Sequence, residues 1–173
     1  MEKLWAPWRM TYIKKAKEEK GCLFCKKLEE GRDEENYILH RSKLAFVILN
    51  IFPYNSGHLM VVPIRHVGEV EELKVGESKE MMALLQRSII ALKRAYKPEG
   101  LNIGMNLGRT AGAGVLHHLH IHVVPRWNGD TNFMPILAES KIISQSLRET
   151  FTTLRKVMKK SQILKRRRSN EKD

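Results

Sequence analysis

Histidine alternates with large apolar residues through His118-Leu119-His120-Ile121-His122; Val123 and Val124 extend the run, Pro125 closes it, and His117 precedes it. Four of the seven histidines in the chain sit here. Strict alternation is a strand signal, because successive side chains point to opposite faces. His118, His120 and His122 should therefore share one face, with Leu119, Ile121 and Val123 turned to a core. Side chains two apart on a strand lie ~7 Å from each other, so neighbouring imidazoles can reach one phosphate-sized group. Three histidines on one face are costly to bury without partners, so they should line a polar cleft. They could bind a metal as neutral imidazoles. Or they could bind and attack phosphate, one ring as nucleophile and the others as donors. The loop Asn106-Leu107-Gly108-Arg109-Thr110-Ala111-Gly112-Ala113-Gly114 feeds into this face. Its backbone N–H groups and small side chains can cradle phosphate oxygens. Loop and histidines together favour a phosphate site over a purely structural metal site.

The two cysteines, Cys22 and Cys25, stand in Gly21-Cys22-Leu23-Phe24-Cys25-Lys26. A count of two excludes a disulfide scaffold. A redox-active pair at this spacing usually follows a thioredoxin-like strand, whereas here a Lys/Glu-rich segment ending in Gly21 precedes it. The pair can also be half of a tetrahedral zinc site, with histidines supplying the rest.

The elements that must hold these groups can be read from patterning. With 173 residues and 42% hydrophobic content, one folded domain is expected. Its limits are set at residues 1–160, including an N-terminal extension, with a basic tail over 161–173. The Trp5-Ala6-Pro7-Trp8 cluster is apolar enough to pack on the main body or a partner subunit. Residues 22–31 read as a short helix stopped by Gly31. Strands are expected at Tyr37–His40, Lys43–Asn50 and His58–Ile64, the last two joined by the turn-rich Pro53-Tyr54-Asn55-Ser56-Gly57. Met81, Leu84, Leu85, Ile89 and Leu92 recur at helical spacing, so a long helix should run from an N-cap at Ser78 to Tyr96, without a capping box. Leu101–Leu107 reads as a strand, the histidine strand follows, and Lys141–Lys160 should form a C-terminal helix. This order indicates an α+β fold with an antiparallel sheet.

The formal charge is +12, with much of the excess after Arg155. Such a segment favours RNA, nucleotides or acidic surfaces, or is simply a solvated helix end. No apolar run approaches the ~20 residues of a membrane helix, and the first residues lack a signal-peptide core. A soluble, cytoplasmic protein with no membrane contact is the expectation.

His118-Leu119-His120-Ile121-His122-Val123-Val124 resembles the signature of the histidine triad (HIT) superfamily, His-φ-His-φ-His-φ-φ with φ hydrophobic. The likeness extends to Asn50, to Gly57-His58-Leu59-Met60-Val61-Val62-Pro63 and to the Asn106–Gly114 loop, covering roughly Cys22 to Trp127. The string Pro125-Arg126-Trp127-Asn128-Gly129-Asp130 looks most like the dinucleoside polyphosphate phosphorylase and hydrolase branch. The resemblance implies a sheet of about five antiparallel strands, one long helix, a C-terminal helix and a homodimer formed by joining sheets. It implies that His120 attacks the α-phosphorus of a substrate such as diadenosine tetraphosphate or triphosphate, giving a nucleotidyl-histidine resolved by phosphate or water. His122 and the N–H groups around Gly112 and Gly114 would hold phosphate oxygens. Asn50 would bind the ribose, Asn106 a phosphate or leaving group, and Phe46, Ile48 and Ile51 the base. No metal is needed for that chemistry. A structural zinc is implied at Cys22, Cys25, His66 and His118. A nucleoside phosphoramidate hydrolase, or a zinc-stabilised nucleotide- or RNA-binding module without turnover, fits the same residues.

The chain departs from the family pattern in two places. Gly112-Ala113-Gly114 lacks the hydroxyl expected there, leaving the leaving-group acid unassigned. The loop looks one residue longer, and His117 is an added histidine that a bulge could bring into the metal site in place of His118.

Overall fold

The computed structural model describes residues 21–130 and 145–170, the last ten as backbone only. The tryptophan cluster and the expected helix start at Lys141 lie outside these residues. Helix α1 is Leu23–Glu29, followed by strands β1 (Ile38–Arg41), β2 (Ala45–Leu49) and β3 (Leu59–Pro63). A short 3-10 turn, Val70–Glu72, leads into α2 (Val75–Tyr96); β4 (Gly100–Gly104), β5 (Ile121–Arg126) and α3 (Leu147–Asn170) complete the chain. All strand pairs are antiparallel, in the order β1-β2-β3-β5-β4. Among the described residues no helix is long and apolar enough to cross a membrane.

Every residue of β2 and β3 is buried, because both faces of the sheet are covered. On one face Val47, Leu49, Leu59, Val61, Ile121 and Val123 pack against Leu84 and Leu92 of α2 and Phe151 and Leu154 of α3. On the other, Phe46, Ile48, Met60 and Val62 pack against Phe24 of α1. Each such side chain contributes ~1.5–3 kcal/mol when fully buried. Gly57 turns the chain into β3 with φ +83°, and a Cβ there would meet Leu92 Cδ2 at 3.1 Å and Pro125 Cγ at 3.2 Å. Only glycine suits both the backbone and the space.

Several expected boundaries move. Helix α2 begins at Val75, not after Ser78, because Glu77 caps it: its carboxylate accepts the Lys74 backbone N–H at 2.9 Å and the Arg65 guanidinium at 2.7 and 2.8 Å. Arg65 foremost, then the Lys74 N–H, holds the Glu77 carboxyl down to about 2. Glu80, one turn into the helix, accepts the Lys43 and Leu44 N–H groups and the Ser42 hydroxyl in the β1–β2 turn. Strand β4 ends at Gly104 rather than Leu107, since its partner β5 is regular only from Ile121. Strand β5 continues through Pro125 to Arg126. Proline is tolerated because β3 pairs β5 only up to Val123. The backbone of α3 runs past residue 160 to Asn170, so the helix takes in most of the segment expected as a tail.

Candidate active site

Strands β3 and β5 run antiparallel, which sets the end of one beside the start of the other. Val61 pairs with Ile121, Met60 with His122 and Leu59 with Val123. The chain leaving β3 therefore lies beside the chain entering β5, and Leu119 N–H donates to Val67 O at 2.7 Å. Of the three alternating histidines only His122 lies on the strand; His118 sits in a bend and His120 in the irregular residues between. Leu119, Ile121 and Val123 do face the core.

Each ring has its own partner, and the partner fixes its tautomer. The His118 Nε2–H donates to Pro63 O at 2.8 Å, so its lone pair is on Nδ1. The His120 Nδ1–H donates to His118 O at 2.9 Å, so its lone pair is on Nε2. His58 is 1% exposed, and its Nδ1 accepts the Tyr54 N–H at 3.0 Å. His58 Nε2 then carries the proton and donates to His122 Nδ1, also at 3.0 Å. That makes His122 Nε2 a donor. The His120 and His122 rings stand 4.8 Å apart, edge to face. A ring nitrogen bearing a lone pair and a ring N–H thus stand side by side, an arrangement that can serve phosphoryl chemistry. His58 was not singled out from sequence as a site residue. Its signal was there, since it opens the Gly57–Pro63 string, but its role needs the Met60–His122 register.

His118 is wholly buried and does not line the cleft. Its Nδ1 lies 3.2 Å from Cys22 Sγ and 3.6 Å from Cys25 Sγ, and Cys25 Sγ is 3.4 Å from His66 Nδ1. All four ligand atoms fall within 4.8 Å of one another. Tetrahedral bonds of ~2.3 Å to sulfur and ~2.0–2.1 Å to nitrogen place ligands ~3.5 Å apart, so this donor set fits such an ion. The Nε2–H bond to Pro63 O aims the His118 ring as an outer partner of a metal ligand does. Burial, opposed by that bond, pushes the His118 imidazole down to about 4, which keeps it neutral. Burial, together with Cys22, pushes the Cys25 thiol up to about 11. His117 is exposed and takes no part, so it does not replace His118.

An open cleft lies over the face that carries His120 and His122. Asn50, Ile48, Ile51 and Gly114 are among its walls, whereas Asn106, Gly112 and Phe46 are not. Asn50 Oδ1 accepts the Phe52 N–H at 2.9 Å. The Gly112 N–H donates to Arg109 O at 3.0 Å, closing a turn. Helix α1 supplies the opposite wall through Leu23, Phe24 and Lys27; the Phe24 ring lies 5.4 Å from that of His120. Gly104, paired with His122, has nothing within 4 Å of a would-be Cβ and leaves space beside the ring. The Asn50–Gly57 loop is held by Asn55, whose Nδ2 donates to Asp130 Oδ2 at 2.8 Å and Pro125 O at 3.1 Å. Asp130 also accepts Arg126 Nε and Nη2, at 2.6 and 2.9 Å, and Arg126 foremost holds its carboxyl down to about 2. This latch went unread, although Arg126 and Asp130 stand four apart with opposite charge.

The chain belongs to the HIT domain family, whose pattern it matches over residues 32–129. It is 43% identical over 157 residues to an AP-4-A phosphorylase of Mycobacterium tuberculosis, covering 87% of this chain and 80% of that protein. It is 32% identical over 91 residues to a bis(5'-adenosyl)-triphosphatase of Saccharomyces cerevisiae, covering 52% of this chain and 44% of that one. A zinc-bound histidine triad family protein from Mycobacterium smegmatis superposes with a TM-score of 0.66 at 27% identity, over 83% of this chain and 97% of that chain.

Proposed function

We propose that the protein is an enzyme that cleaves dinucleoside polyphosphates, diadenosine tetraphosphate among them, by nucleotidyl transfer through His120. The observation that carries this reading is the His120 Nδ1–H bond to His118 O, which puts the ring's lone pair on Nε2 beside the His122 donor. His120 Nε2 attacks the α-phosphorus. A P–N bond forms, the P–O bond to the bridging oxygen breaks, and the nucleoside polyphosphate departs. The imidazolium proton stays on Nδ1, facing the His118 carbonyl. His122 Nε2–H donates to a phosphate oxygen as charge grows there. Inorganic phosphate then attacks the adduct, the P–N bond breaks, and a nucleoside diphosphate leaves; water in its place gives the monophosphate. The likeness to an AP-4-A phosphorylase supports phosphate as the acceptor. Incubation with diadenosine tetraphosphate, with and without phosphate, tests this. ATP plus ADP is the expected phosphate-dependent result, ATP plus AMP indicates hydrolysis, and no cleavage refutes the reading. Quenching in alkaline denaturant, in which a P–N bond survives, should trap the adduct in the native chain and not in His120→Ala.

Cys22, Cys25, His66 and His118 hold a structural zinc in this reading, supported by the spacing of the four ligand atoms and by the zinc-bound relative. Zinc would clamp the start of α1 to the segments flanking β3 and β5. The protein acts as a homodimer in the same reading, joined along β4. That strand ends the sheet, and Ile103, Met105 and Leu107 on and after it are each more than 40% exposed. Ile103→Lys should shift the dimer to monomer in sedimentation.

A further inference from the structure

The loop between β2 and β3, residues 50–58, carries Asn50 and ends at His58. Asn55 ties it to the far end of β5, its Nδ2 donating both to Asp130 Oδ2 at 2.8 Å and to Pro125 O at 3.1 Å. Two acceptors on one atom fix which end of the amide is the nitrogen. Asp130 is itself held on several sides. Its side chain is 8% exposed, and besides Arg126 Nε and Nη2 its carboxylate accepts the Trp127 N–H at 3.3 Å. Arg126 is braced in turn, its Nη1 donating to Asn102 Oδ1 of β4 at 2.8 Å.

This latch bears on the surroundings of His58. The Asn55 carbonyl accepts the His58 backbone N–H at 3.1 Å, and Tyr54, the residue before Asn55, gives its N–H to His58 Nδ1 at 3.0 Å. Asn55 thus sits between two anchors of His58, and a shift of its backbone disturbs both. The Tyr54 N–H decides which way the His58–His122 bond runs. While it occupies His58 Nδ1, His58 Nε2 donates to His122 Nδ1 and His122 Nε2 carries a proton. Without it the pair can reverse: His58 protonated on Nδ1, His122 Nδ1 donating to His58 Nε2, and His122 Nε2 left with a lone pair in place of its donor. A backbone N–H cannot accept, so its presence forbids the reversed pair.

We propose that Asn55 and Asp130 are positioning residues of the reaction: they hold the Tyr54 N–H on His58 and so keep the His58–His122 pair in the tautomer that leaves a proton on His122 Nε2. The inference rests on the nucleotidyl-transfer reading above. Neither residue touches the substrate. Their effect passes through His58 to His122, and it falls on the donation to phosphate as charge grows there, not on the binding of the nucleotide.

Steady-state kinetics on diadenosine tetraphosphate test this in Asn55→Ala, Asp130→Ala and Asp130→Asn. The first two should lower kcat about 10-fold and leave KM within about twofold, because only a fraction of the molecules then holds the competent tautomer. Asp130→Asn keeps an oxygen for the Asn55 amide and should recover most of the rate. In a His58→Phe background Asn55→Ala should add no further loss, since the latch acts through His58. Nitrogen NMR of the imidazoles reads the tautomers directly. In the native chain His58 and His122 should both be protonated on Nε2, and Asn55→Ala should move both toward Nδ1. Native rings protonated on Nδ1, kcat within about twofold of native in both alanine variants, a rise in KM alone, or losses that multiply with His58→Phe each overturn the inference and leave nucleotidyl transfer standing. A native chain that cleaves nothing refutes that reading and the inference with it.

Discussion

Replacing His58 with phenylalanine tests whether His122 acts as a directed donor. The ring volume is nearly kept, and the stack on Tyr54, with centroids 4.9 Å apart and an 18° tilt, can persist. Both nitrogens are lost. The Tyr54 N–H loses its acceptor, which should cost ~1–3 kcal/mol of stability if the group stays dry. His122 Nδ1 loses the proton donated from His58, so its own proton is no longer confined to Nε2. Loss of one donor to developing phosphate charge should lower kcat about 100-fold, ~2.7 kcal/mol, while substrate binding through Asn50 and the base wall changes little. Steady-state kinetics on diadenosine tetraphosphate measure this directly. His122→Phe should show a comparable loss, and the double variant should be no slower than His122→Phe alone, because His58 acts through His122. A His58→Phe kcat within threefold of native, or losses that multiply in the double variant, would refute the relay.

Cys25→Ser should remove zinc from the purified chain and lower Tm by roughly 6–12 °C, as a loss of ~3 kcal/mol does at this size; unchanged metal content would exclude Cys25 as a ligand. Glu77, held near 2 against an ordinary 4.5, stabilises the fold above pH 4.5, and that contribution drains away as pH falls toward 2. Because Arg65 is 38% exposed, solvent screening keeps that contribution small. Glu77→Gln should therefore lower the urea midpoint at pH 6 and lose the difference from native near pH 2. Gly57→Ala puts a Cβ at positive φ and within 3.2 Å of two core atoms, and should cost ~1–3 kcal/mol by thermal melting.

Features were legible in the sequence where one local signal decides them, and not where a distant partner does. Strands β2 and β3 could be read because Phe46–Ile48 and Leu59–Val62 are short apolar runs bounded by turn residues. The start of α2 could not, because its first-turn cap is Glu77, tied to Arg65 across space, while Lys74 in the N-cap position gives no signal. The gathering of Cys22, Cys25, His66 and His118 was reachable only through family likeness. Nothing local says that the end of β3 and the approach to β5 lie side by side. Lys27 and the Asn55–Asp130 latch were unreadable for the same reason. Each depends on which face a short element turns toward another one.

The three alternating histidines show why the pattern alone misleads about their chemistry. Alternation suggests three equivalent rings on one strand face, but β5 begins only at Ile121. Residues before it are outside the ladder, and this leaves the His118 carbonyl available to the ring two residues on. Had the strand begun at His118, that carbonyl could have gone to a neighbouring strand and His120 would have lost its orienting acceptor. The bend also lowers His118 off the cleft toward the thiols, where Pro63 O turns its Nδ1 to the cluster. Only His122, on the regular strand and opposite Met60, meets His58. In the proposed mechanism one side-chain type thus yields a metal-directed lone pair, a nucleophilic lone pair and a phosphate-directed N–H. What separates them is the ring nitrogen each neighbour engages, and that is set by where the strand starts.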